Sequence, residues 1–151
     1  MYTLLNTIAP RCHAAAARRG KDTSCVGCIK QLHSELNEYW RAVDDYRLVQ
    51  NIEALTEQAE KLYGAEFAKY YHENIHNTTI DELADILITA ATWLHAARLA
   101  DDESFQPSRV IDVMLAKGAV RFIHEQLTFD DMANLLDVVE LKMRYNETRE
   151  D

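Results

Sequence analysis

Residues Ile80 to Ala97, IDELADILITAATWLHAA, decide the fold. On a helix, positions three apart lie about 60° apart around the axis, so Glu82 and Asp85 share one face, continued by Thr89 and Thr92 as a narrow polar strip. Ile80, Leu83, Leu87, Ala90, Ala91 and Leu94 form the opposite face, and Ala84, Ile86, Ile88 and Trp93 fill much of what remains. A helix apolar nearly all round is a buried helix. Ionised carboxylates in it are costly unless paired, hydrogen-bonded or coordinated, so the pattern predicts a cation nearby. A capping box, Thr79-x-x-Glu82, is the local alternative for Glu82; it leaves Asp85, one turn further in, unexplained.

A second acidic pair stands on a second helix. Between Cys25 and Tyr46, apolar side chains recur at Val26, Ile29, Leu32, Leu36, Tyr39, Trp40, Val43 and Tyr46, the spacing of an amphipathic helix. Within it Glu35-Leu36-Asn37-Glu38 repeats the three-residue separation, with Glu35 about 90° from the centre of the apolar stripe and Glu38 nearer the outer face. Taken alone, this pair reads as a solvated face. Taken with Glu82 and Asp85, it places four carboxylates around a common point between two antiparallel helices. Oxygen donors suit Mg²⁺ or Mn²⁺, and Mg²⁺ held by few carboxylates keeps waters and shares phosphate ligands.

The last helical stretch is expected from about Thr128 to Arg144, with Thr128-x-x-Asp131 as a capping-box variant and Leu127 and Met132 as a hydrophobic staple. Met132, Leu135, Leu136, Val139 and Met143 make its buried stripe. It closes on Lys142-Met143-Arg144-Tyr145-Asn146-Glu147-Thr148-Arg149, where Lys142, Asn146 and Arg149 fall on one face if the helix persists.

An E-x-x-E helix, an E-x-x-D helix written Asp-Glu-Leu-Ala-Asp-Ile-Leu and a K-M-x-Y-N-x-x-R ending, in that order, resemble the MazG-like all-α nucleoside triphosphate pyrophosphohydrolases. That group includes the dimeric dUTPases and phosphoribosyl-ATP pyrophosphohydrolases. The resemblance implies an all-α helical bundle completed by oligomerisation as a homodimer or homotetramer. It implies Mg²⁺ ligands, with Mn²⁺ as substitute, at Glu35, Glu38, Glu82 and Asp85, which would also be the catalytic residues, and substrate contacts at Lys142, Asn146 and Arg149. The implied reaction splits the α–β phosphoanhydride of a nucleoside triphosphate with water, giving the monophosphate and pyrophosphate. Ser34 stands where the family's first motif commonly has a further acid, which motivates a rival reading: a catalytically inactive helical module for nucleotide sensing or protein interaction.

Length and composition set the frame. A chain of 151 residues with 48% hydrophobic content forms one domain with a real core, and four glycines and two prolines under helix-period patterning leave little room for a sheet. Pro10 is expected to break or bend the first helix, Lys21 to Ser24 to connect, an acidic helix to run from about Ile52 to Tyr71 and a further helix from about Pro107 to Gln126. The net charge of −9 disfavours nonspecific nucleic-acid binding. The N-terminal stretch lacks a basic n-region and the longest apolar run is too short to span a bilayer, so a cytoplasmic protein is expected. Cys12, Cys25 and Cys28 make no disulfide framework, and a lone C-x-x-C favours reduced helix thiols over a zinc site completed by His13. His72 and His76 have ligand spacing, but Asn74 and Asn77 beside them mark a helix end. A di-iron bundle needs two Glu-x-x-His motifs, and Glu73-x-x-His76 is the one candidate. Trp40 and Trp93 are core candidates that would also suit stacking on a base.

Overall fold

The computed structural model describes residues 2–101, 107–127 and 129–149. Among them are seven helices and no strand: α1 (Tyr2–Arg18), α2 (Cys25–Asp44), α3 (Ile52–Glu60), α4 (Gly64–Asn74), α5 (Thr79–Asp101), α6 (Pro107–Gln126) and α7 (Phe129–Thr148). α5 is the axle. It packs against α1, α2, α6 and α7, while α3 and α4 pack on each other and on α7. Leu87, Ala90, Ala91, Leu94 and Ala97 on α5 are fully buried. The frequent alanines let neighbouring backbones approach from several sides. The apolar surface of α5 is thus covered by helices of its own chain.

Three sequence expectations change register. The segment from Ile52 to Tyr71 is two helices, because the chain turns through Lys61 to Tyr63 and Gly64 takes a left-handed φ of 57° that other residues avoid. α1 runs continuously through Pro10, which lies on its exposed side. The expected stripe of α2 is kept in part and widened to one side: Ile29, Leu32, Leu36, Tyr39 and Val43 pack on the core, Cys25, Gly27, Cys28, Glu35 and Ala42 are buried beside them, and Val26 and Trp40 are exposed. Small side chains allow close packing against α5, and they carry Glu35 inward. The proposed cap at Thr128 lies outside the described residues. No described helix is long and apolar enough to cross a membrane.

Trp93 is core, its indole Nε1 donating to Asp112 Oδ1 at 3.3 Å. Trp40 instead meets Tyr39 and Phe122 in ring contacts 5.1 and 6.0 Å between centroids.

The start of α2 is built around Asp22. Its Oδ1 accepts from the backbone N–H and the hydroxyl of Ser24, at 3.0 and 2.6 Å, and the Ser24 hydroxyl in turn caps the helix by accepting from Gly27 N–H at 3.1 Å. A Cβ on Gly27 would lie 2.4 Å from the Asp22 backbone oxygen and from its Cγ. Gly27→Ala is therefore expected to destabilise by about 1–3 kcal/mol through overpacking, although alanine is the better helix former. The midpoint of a urea unfolding curve measures this; an unchanged or raised midpoint would show that propensity wins.

Candidate metal centre

α2 contributes Glu35 and Glu38, and α5 contributes Glu82 and Asp85, to one cavity of about 620 Å³. Oxygens of Glu35, Glu38 and Glu82 lie within 4.8 Å of one another. Glu35 Oε1 accepts from Gln31 Nε2, one turn back on α2. The second oxygen of Glu35 and that of Glu82 are buried and have no hydrogen-bond partner. Two orphaned carboxylate oxygens facing a third acid, with no imidazole or thiol in the cluster, fit a hard divalent cation bound through oxygen. These three residues can hold one.

Asp85 lines the same cavity but is committed elsewhere. Lys142, 2% exposed, places its ammonium 3.0 Å from Asp85 Oδ2 and 2.9 and 3.1 Å from the two oxygens of Asp81. This is the cation that the buried carboxylates of α5 require. Its three donors are all used, so the geometry makes Lys142 the holder of Asp85. Asn146, buried one turn further along α7, and Arg149, just past its end, both line the cavity.

Asp81, which is not among the residues expected at the site, organises this end of the molecule. The cap of α5 is Thr78, not Thr79: the Thr78 hydroxyl accepts from Asp81 N–H at 3.4 Å, and Asp81 Oδ2 accepts from Asn77 N–H at 2.9 Å. The register of the box is shifted by one residue, which gives capping to Asp81 and leaves Glu82 for the cavity. Asp81 is fully buried and also accepts from the Tyr71 hydroxyl. The available signal was the Thr78-x-x-Asp81 spacing.

The electrostatics separate the acids. Burial works to raise Asp81, but the His76 contact and the Lys142 charge overcome it and hold its carboxyl below the usual range. Burial, with the charges of Asp85, Asp81 and Glu38, pushes Glu82 up to about 7. Burial and the Asp85 charge raise Glu35 as well. Asp85 is raised because burial outweighs the Lys142 ammonium.

The rest of the cavity wall differs in character. Arg11, Arg19, Lys21, Lys30 and Arg149 supply positive charge. Arg11 bridges α1 to α7 through Glu140 at 3.0 Å and Glu147 at 2.5 Å. Cys12 and Cys28 line the cavity as reduced thiols, both pushed up to about 12 by burial. Among the described residues the cysteines form no metal cluster with His13. Trp40 and Trp93 are not part of the wall.

Two outcomes follow from this arrangement. Glu82 titrates near 4.5 when unfolded and near 7 when folded, so the native state holds the extra proton across that interval. Its stabilising contribution is present below the lower value and lost as pH rises through the upper one. The melting temperature without divalent cations should therefore fall between about pH 5 and about pH 8, and millimolar Mg²⁺ should reduce the fall by binding the native state. Glu82→Gln should reduce both responses and leave the share of Glu35 and Asp85, whose carboxyls burial also raises; a profile that the substitution leaves unchanged would exclude Glu82 as a source. Lys142→Met should cost about 3–5 kcal/mol in chemical denaturation, because Asp81 remains fully buried and Asp85, 18% exposed, largely so without their cation. A loss under about 1 kcal/mol would mean that water reaches both carboxylates.

No protein-family model, no curated protein and no solved structure matches this chain.

Proposed function

We propose that this chain is a Mg²⁺-dependent nucleoside triphosphate pyrophosphohydrolase of the MazG-like type, releasing a nucleoside monophosphate and pyrophosphate. The observation that carries the reading is the trio Glu35, Glu38 and Glu82, with two buried orphaned oxygens, at the wall of a cavity large enough for a nucleotide. Mn²⁺ is the expected substitute. Bound at these acids, Mg²⁺ would neutralise phosphate charge and acidify water.

The residues have distinct tasks. Glu35, Glu38 and Glu82 hold the cation, and Asp85 supports them from the position that Lys142 fixes. Arg149 and Asn146 take phosphate or sugar oxygens by charge-assisted and neutral hydrogen bonds, as the family resemblance suggests. The cationic wall favours a polyanion within a chain whose net charge is −9. Helix pairing is the natural mode for a homodimer or homotetramer; exposed apolar side chains such as Met114 and Leu115 on α6 supply surface for it. The rival reading, an inactive nucleotide-sensing module, keeps the binding and loses the turnover.

Pyrophosphate release measured across a panel of nucleoside triphosphates with Mg²⁺ tests the proposal. Turnover with at least one nucleotide is expected, lost by at least about 100-fold in Glu38→Gln, an exposed position where folding is not at stake. Mg²⁺-dependent nucleotide binding with no pyrophosphate release would favour the sensing module.

A further inference from the structure

We propose that His76 is the base that takes the proton from the attacking water, a role that rests on the hydrolytic reading above. His76 lies in the turn between α4 and α5 and lines the cavity with 21% of its side chain exposed. Its ring is held from several sides. Nδ1 sits 3.4 Å from Asp81 Oδ2, the ring of His72 stacks on it at 4.9 Å and 26°, and the ring of Tyr145 lies 5.6 Å away. His72 is itself fixed, with 3.0 Å between its Nδ1 and the Tyr145 hydroxyl. With Nδ1 turned to a buried carboxylate, Nε2 is the nitrogen left to exchange a proton. At 3.4 Å Nδ1 makes no hydrogen bond to Asp81, and the carboxylate acts by positioning the ring.

The other acids around the cavity are occupied. Glu35, Glu38 and Glu82 form the cation-holding trio, and Asp85 is paired with Lys142. Glu147 is bonded by Arg11, and Asp22 accepts twice from Ser24. The lining thiols are held protonated by burial. His76 is the remaining base on the wall among the described residues.

The step balances without a further reactant. The water oxygen bonds to one phosphorus of the α–β anhydride, and the bond from that phosphorus to the bridging oxygen breaks. Its electron pair stays on the bridging oxygen, which leaves with the other phosphate fragment. The water proton passes to His76 Nε2 and from there to solvent.

His76→Asn and His76→Ala separate catalysis from support, because the Asn amide can still donate toward Asp81 but cannot accept a proton at the place of Nε2. In both variants kcat should fall about 100-fold or more, while Mn²⁺ affinity by electron paramagnetic resonance and KM stay close to wild type and the melting temperature falls less in His76→Asn than in His76→Ala. Added imidazole should restore turnover in His76→Ala with saturation and leave wild type unaffected. Normal kcat in His76→Asn would overturn the proposal, as would a loss of Mn²⁺ affinity parallel to the loss of kcat without imidazole rescue. If wild type binds Mn²⁺ and releases no pyrophosphate from any nucleotide, the hydrolytic reading itself has failed and the role of His76 with it.

Discussion

An ammonium with 2% exposure is tenable only if anions close around it, and Lys142 is closed in by Asp81 and Asp85. That requirement ties together the parts of the molecule that matter. Asp81 caps α5, receives the Tyr71 hydroxyl from α4 and fixes the turn at Asn77. Asp85 carries the same charge balance one turn along, to the edge of the cavity. The helices meet there because the charges must.

Around this fixed point the cavity is divided. One part of its wall gathers carboxylates that burial has made reluctant to ionise, and another gathers arginines and lysines. Such a division suits a ligand that combines a cation with a polyanion, and suits neither alone. It also reconciles a strongly acidic chain with a phosphate-bearing substrate, since the charges that matter locally differ from the total.

The long elements were legible because their patterns are local. The apolar density of Ile80 to Ala97, the span from Pro107 to Gln126 and the helix after Leu127 lie where the periodicity puts them, but Leu136, expected in the buried stripe of α7, is 39% exposed while Val138 and Leu141 are buried. Hydrophobicity misjudged α2: Cys28 and Ala42 count for little yet are buried, while Trp40 and Tyr46 count for much and are exposed. The apolar Leu62 and Tyr63 hid the break before Gly64. In the site, the convergence of Glu35, Glu38 and Glu82 could be read from paired spacings. Asp81 could not, because two adjacent threonines offered two cap registers and its decisive partners, Tyr71 and Lys142, stand 10 and 61 residues away. His76 was visible only through its spacing to His72 and Glu73, and what holds it comes from α4, α5 and α7.

The distance in sequence between Asp81 and Lys142 also sets an order of events during synthesis. At ordinary translation speeds those 61 residues take on the order of 3 to 12 seconds to appear. Through that interval α5 has acids and an apolar surface but no buried counter-cation, so the nascent chain cannot close its core in the native form. Completion waits for α7, and with it the assembly of the cavity.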